Sequence, residues 1–313
     1  CSRVQTANLF CGSGRFDPCG CLALAEDFEK VVFKKPRPDE SPAEAFFFVY
    51  AIIAFMNVRE KKAIISAAKA GGRVVRKYFG RVLTIEEKST TADFRTQADV
   101  GSEKAIIKIL KKAFPKYNIL SEECGMINRG SEYTFYVDPL DGTNNFVLGI
   151  PNFSVLISLA KGREAIFGIV YIPMLDIYYY AEKGSGVFCD IKHNLKLSSE
   201  TSLARATVGY GCAYKTAKTE VARIIGNLII GGVKRTLADW APAIEFCQLV
   251  SGKIESMINI NTELYDFLGA KLIMREAGCV ITDFKGNLDT DDFNPTFLAS
   301  NNWEIHNKIL PLL

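Results

Sequence analysis

In Val137-Asp138-Pro139-Leu140-Asp141-Gly142-Thr143, two carboxylates stand either side of a proline that fixes the turn. Gly142 then lets the backbone approach a ligand, and Thr143 opens a helix whose free N–H groups suit an anion. A plain surface turn also favours Asp, Pro and Gly in this order. Three other acidic places accompany it. Glu122-Glu123 follows apolar Ile119-Leu120, as at a strand end, although paired glutamates also suit a solvated surface. Asp99 sits where a helix N-cap is the ordinary explanation, and Asp266 in a first helical turn, where the macrodipole alone would favour it. If these groups converge they repel one another unless divalent cations neutralise them, and an all-oxygen donor set favours Mg2+ or Mn2+ over zinc.

The elements that must position these groups alternate between helix and strand. From Met56 an amphipathic pattern (Ile64/Ile65, Ala67/Ala68, Gly71/Gly72, Val74/Val75) predicts a helix over 56–80, and a second is predicted over 100–114, stopped by Pro115. Strands are expected at 135–137, 153–159, 166–172, 177–180, 254–258 and 279–283, with helices at 217–230, 240–250, 265–277 and 302–310. Such mixing implies an α/β fold of sheets layered with helices.

The chain's 313 residues suffice for one large domain or two modest ones. Lys+Arg 38 against Asp+Glu 35 leaves a formal +3, which points to no nucleic-acid partner. Lys104, Lys108, Lys111 and Lys112 at helical spacing read as a solvated face. Scattered Cys124, Cys189, Cys212, Cys247 and Cys279 suit a reducing compartment and a cytoplasmic location, as small apolar fillers. Cys1, Cys11, Cys19 and Cys21 crowd a leader, 1–55, that lacks zinc-site spacing, a signal-peptide pattern and an apolar run long enough for a membrane span. The leader is expected to be disordered or artefactual and 56–313 to form the catalytic domain. His193 and His306 fall outside every acidic motif and are expected on the surface or in loops.

From Met56 to about Trp303 the chain resembles the inositol monophosphatase family of magnesium-dependent, lithium-sensitive sugar phosphatases. The matching stretches are Lys88 with Asp93-Phe94-Arg95-Thr96-Gln97-Ala98-Asp99, Ile119-Leu120-Ser121-Glu122-Glu123, Asp138 through Phe146, and Tyr265-Asp266 followed by Glu276-Ala277-Gly278. The resemblance implies a layered αβαβα sandwich, a homodimer, and hydrolysis of a small-molecule phosphate monoester by metal-activated water. It implies that Glu122, Asp138 and the Leu140 carbonyl hold a first Mg2+, and Asp138, Asp141 and Asp266 a second, with Asp138 bridging. Glu122 would help a third, weaker ion, and Mn2+ could substitute. Asp99 with Thr143 would orient and deprotonate the water, while Asp141 and the Gly142 and Thr143 N–H groups would face the phosphate.

Departures from the family pattern bear on the leaving group. Tyr265-Asp266 stands for Trp-Asp, Gly278-Cys279 for Gly-Gly, and Ala238-Asp239-Trp240-Ala241 for a Gly-Ser/Thr-Ala-Ala segment after Arg235. Asn259 stands where a glutamate often contacts inositol hydroxyls; an amide can still bond a hydroxyl but carries no charge. Fructose 1,6-bisphosphate, histidinol phosphate and a bisphosphate nucleotide therefore stand beside inositol 1-phosphate as candidate substrates. A regulatory protein that binds RNA or the transcription machinery is the non-enzymatic alternative.

Overall fold

Asn57 opens the first helix: its side chain accepts from the Glu60 N–H while Glu60 reaches back to the Asn57 N–H. Two amides that a helix start leaves unpaired are thereby satisfied. This is α1, Val58–Tyr78, in a computed structural model that describes residues 56–88, 93–190 and 195–313. The leader and His193 lie outside the described residues. Just ahead of α1, the Met56 N–H donates to the buried Glu182 carboxylate at 2.9 Å.

Antiparallel β1 (Ile85–Glu87) and β2 (Phe94–Thr96) lead into α2 (Gln97–Ala113). Then follow β3 (Asn118–Ser121), β4 (Gly125–Ile127), β5 (Tyr133–Asp141), the short α3 (Thr143–Val147), β6 (Ser154–Lys161), β7 (Glu164–Ile172), β8 (Ile177–Glu182) and β9 (Val187–Cys189). The remainder is β10 (Thr207–Cys212), α4 (Lys218–Ile230), β11 (Arg235–Leu237), α5 (Pro242–Val250), β12 (Ser256–Ile260), α6 (Leu264–Glu276), β13 (Val280–Thr282), β14 (Thr296–Ser300) and α7 (Trp303–Ile309). Seven strands form one sheet in the order β4-β3-β5-β6-β7-β8-β9, and five form another in the order β11-β10-β12-β14-β13.

Alternation along the strands assigns the layers. On β5 and β6, Phe135, Val137, Val155, Ile157 and Leu159 pack with α1 and α2, whereas Tyr136, Leu156 and Ala160 pack with α5 and α6. On β12 and β14, Met257, Phe297 and Ala299 join that same middle core, while Ile258, Ile260 and Leu298 turn to α4 and α7. The order is helix, sheet, helix, sheet, helix, the expected αβαβα sandwich. Close approach of α6 to the larger sheet needs glycine on both sides, since a Cβ on Gly168 would stand 2.4 Å from the Gly269 backbone.

Three sequence expectations shift. The helix expected over 100–114 begins at Gln97, because extended Thr96 accepts from the Ala98 N–H and caps it. The helix expected from 240 begins at Pro242, which needs no N–H at a first helical position. Strands β10 and β14 lie where none was expected, each inside the smaller sheet. Lys104, Lys108, Lys111 and Lys112 do form an exposed face, and Cys247 is a buried free thiol whereas Cys124 is exposed. Among the described residues no helix is long and apolar enough to cross a membrane.

His306 corrects a further expectation: it is fully buried on α7, not at the surface. Thr282 Oγ1 donates to the Asp283 carbonyl (2.7 Å), so His306 Nε2 donates to Thr282 (2.9 Å). Ser256 donates to Ser300 (2.9 Å), leaving Ser300 to donate to His306 Nδ1 (3.0 Å). Both neighbours thus suit a neutral ring, and burial pushes its pKa down to about 4. Because the folded value is lowered, the unfolded chain takes up a proton that the folded one refuses as pH falls from 6.5 towards 4. Wild type is expected to lose about 2 kcal/mol more stability between about pH 7 and pH 5 than His306→Gln, read from urea midpoints. Equal losses would remove His306 as the source.

Candidate active site

The β5–β6 register explains how one strand brings two carboxylates to one side. Asp138 pairs with Leu156 and Asp141 with Ser154, so three steps along β5 match two along β6 and the strand bulges at Pro139 and Leu140. Leu156 and Ser154, two apart, share a face; their partners Asp138 and Asp141 therefore do too. Without the bulge, residues three apart would point to opposite faces. Ser102 on α2 holds the bulge from beneath through the Pro139 carbonyl at 2.8 Å.

Glu122 reaches the same place from β3. That strand runs parallel to β5, Ser121 opposite Val137, and the Glu122 N–H continues the ladder to the Val137 carbonyl at 3.1 Å, bringing Glu122 alongside Asp138. Asp266 comes from the first turn of α6, where its Oδ2 accepts from the Glu263 N–H at 2.9 Å and completes a capping box. For the three aspartates a backbone or hydroxyl donor orients the group, with Leu140 N–H to Asp138 Oδ1 (2.9 Å) and Ser154 Oγ to Asp141 Oδ2 (2.9 Å) beside the Asp266 bond.

Asp99 is the third residue of α2, not its cap. Its Oδ2 accepts from the Thr96 N–H (2.8 Å) and hydroxyl (2.6 Å), while Oδ1 lies 3.1 Å from Thr143 Oγ1. Thr143 Oγ1 is also 2.9 Å from the Leu140 carbonyl, so its one proton chooses between two acceptors. Gly142, φ 88°, precedes it; a Cβ there would come within 3.0 Å of the Asn152 carbonyl and 3.1 Å of Ala241 Cβ. Only glycine suits both the conformation and the space.

The electrostatics are those of crowded negative charge. Burial first, then Glu122, Asp141 and Asp266, holds the Asp138 pKa well above the usual carboxylate range. Asp266 is raised well up by burial, then Glu122 and Asp141, and Asp141 to about 7 by burial, with Ser154 opposing and Asp239 adding. Glu122 rises to about 7 through burial, although Lys88 opposes it at 2.8 Å. Asp99 is raised by burial against its Thr96 bonds, the Lys88 charge and Thr143. Among the described residues no three acidic, histidine or cysteine side chains are drawn in far enough to grip an ion as they stand. In donor type and in uncompensated charge the set nonetheless fits a hard divalent cation.

Asn259 does not join this group. It is fully buried on β12; its Nδ2 donates to Thr262 Oγ1 (2.9 Å) and the Pro295 carbonyl (2.7 Å), and its Oδ1 accepts from Thr262 (3.1 Å). The amide is consumed inside the fold, so its assignment to substrate is withdrawn. Sequence reasoning gave no role to Lys88, which bonds both Glu122 and Glu123, nor to Tyr214, whose hydroxyl accepts from Asn144 Nδ2 at 2.8 Å. Lys88 stood within a matched stretch and was findable; nothing in the sequence around Tyr214 marks it. Glu276 turns out to be structural, accepting from the Gly184 and Gly186 N–H groups at 2.8 Å each.

Comparison with known proteins bears on the same residues. The model of the inositol monophosphatase family matches residues 57–313. A relative from Aquifex aeolicus, named fructose-1,6-bisphosphatase/inositol-1-monophosphatase, is 33% identical over 250 residues, covering 78% of this chain and 91% of its own length. One from Pasteurella multocida, named Nus factor SuhB, is 31% identical over 239 residues, 74% of this chain and 87% of its own. The crystal structure of the extragenic suppressor protein suhB from Bartonella henselae superposes with a TM-score of 0.74 at 29% identity, covering 80% of this chain and 97% of that one.

Proposed function

The chain belongs to the inositol monophosphatase family, and on that premise we propose that it hydrolyses small-molecule phosphate monoesters with the help of divalent cations. The observation that carries the proposal is the bulge in β5, which sets buried Asp138 and Asp141 on one face, with Glu122 alongside and the Asp266 charge within reach. Four carboxylates whose pKa values burial and neighbouring negative charge raise are a poor structural core and a good cation site. Glu122, Asp138, Asp141, Asp266 and the Leu140 carbonyl would hold Mg2+, or Mn2+ in its place. Bound there, such ions supply charge neutralisation, a lowered pKa for the attacking water and relief of charge on the leaving alkoxide.

The remaining steps belong to side chains of the chain itself. Thr143 Oγ1 donates to Asp99 Oδ1 and presents its lone pair to the water, so a proton leaving the water passes to Thr143 as Thr143 yields its own to Asp99. Asp99 is fully buried and anchored through Thr96, which keeps the acceptor in place. Gly142, without a side chain, lets the backbone turn at φ 88° beneath Asn152 and Ala241, and the Gly142 and Thr143 N–H groups would face the phosphate. Lys88 holds Glu122 against its neighbours' repulsion.

The test is phosphate release with Mg2+ from inositol 1-phosphate, histidinol phosphate, fructose 1,6-bisphosphate and adenosine 3′,5′-bisphosphate, assayed side by side. Turnover of at least one is expected; none from any would reject the enzymatic reading. The name Nus factor on one relative supports a second, regulatory reading, which would leave Asp138 substitutions without effect on its partner.

A further inference from the structure

The backbone of Trp240 and the hydroxyl of Tyr214, two exposed aromatic residues, lie against the stretch from Gly142 to Asn144. The Trp240 carbonyl lies 3.3 Å from where a Cβ on Gly142 would stand, and its side chain is 58% exposed. Tyr214, 54% exposed, is tied to Asn144 through its hydroxyl. Trp240 has φ 56°, a conformation glycine adopts freely and a large side chain adopts only under strain. The turn is pinned on both sides. Asn145 Nδ2 donates to the Asp239 carbonyl at 2.5 Å, the Asp239 N–H to Glu245 Oε1 at 3.0 Å, and the Ala241 N–H to Asp239 Oδ1 at 3.4 Å.

Two of the polar contacts that a hydroxyl-rich alcohol could use are meanwhile not on offer. Pro242, next to Ala241, has no N–H to offer, and the Asn259 amide is consumed inside the fold. A flat apolar ring is the chemical complement of an exposed indole, because stacking covers both faces at no cost in unpaired polar groups. We propose that Trp240 is a specificity-determining residue that selects phosphate monoesters whose alcohol carries a flat unsaturated ring, an inference that rests on the phosphatase reading above.

The experiment compares phenyl phosphate, which has such a ring, with glycerol 2-phosphate, which has none, on the full chain and on Trp240→Gly and Trp240→Phe. Glycine suits φ 56° without strain, so the first variant keeps the fold. Trp240→Gly is expected to raise KM for phenyl phosphate about tenfold with kcat nearly unchanged, to leave glycerol 2-phosphate within about twofold, and Trp240→Phe to restore most of the loss. Equal changes for both esters, or none, would overturn the proposal. A separate arm does not need turnover: the chain has Trp 2, so Trp303→Phe leaves Trp240 as the sole tryptophan. Its fluorescence is expected to be quenched saturably by phenyl phosphate and not by glycerol 2-phosphate. Release of phosphate from neither ester nor from any of the four named above would sink the phosphatase reading alone, whereas identical quenching by both, or none, would sink the ring-binding role of Trp240.

Discussion

Asp138→Asn is expected to lower phosphate release by about a thousandfold or more while leaving the fold intact. The side chain is 3% exposed, and its Oδ1 accepts from the Leu140 N–H, a bond that an amide oxygen can keep. What the substitution removes is negative charge at the point where Glu122, Asp141 and Asp266 all act on it. Without cations that removal relieves repulsion, so the variant's melting temperature should equal or exceed that of wild type. With Mg2+ the order reverses, because an ion that binds only the folded state stabilises it in proportion to affinity. Rates within about threefold of wild type at saturating Mg2+ would show that Asp138 is not shared between ions.

The second large effect is expected at Asp99, where a stabilising and a chemical role separate by substitution. Asp99→Asn can keep its oxygen towards the Thr96 N–H, but its NH2 group then faces Thr143 and forces that hydroxyl to accept instead of donate. Phosphate release should fall about a hundredfold, at a stability cost below about 1 kcal/mol. Asp99→Ala loses the same chemistry and also the capping box, so a further loss of about 1–2 kcal/mol should appear in its unfolding curve. If both variants keep their activity and only Asp99→Ala loses stability, Asp99 serves the capping box and nothing more.

How far these groups could be read from the sequence depends on how local their causes are. The Asp138 to Thr143 stretch was legible because proline, glycine and two aspartates act within one turn, and Glu122 because an apolar strand delivers it. The bulge was not, since it exists only in the pairing of β5 with β6. Asp99 reads as a cap because it stands just before the helix start expected at 100, whereas Thr96, three residues earlier, takes that role through its own extended conformation. Strands β10 and β14 escaped notice for different reasons. The first carries Gly209 and Gly211, whose absent side chains make room for Glu245 and Pro242, so it shows no apolar alternation; the second is buried on both faces, Phe297 and Ala299 in one core and Leu298 in the other, so it shows none either. His306 looked like a surface histidine because Thr282 and Ser300, its partners, arrive from separate strands. Asn259 matched a position and not an environment: its chemistry is spent on Thr262 and Pro295.

Phosphate release from the most readily hydrolysed ester, followed in one preparation before EDTA, after EDTA and after excess Mg2+, tests most directly whether the acidic centre is a cation-dependent phosphatase site. Activity should vanish with the chelator and return with Mg2+ in wild type, and stay absent throughout in Asp138→Asn. Release that persists undiminished in EDTA, or that Asp138→Asn shares with wild type, would contradict the assignment of Glu122, Asp138, Asp141 and Asp266 to the working cations.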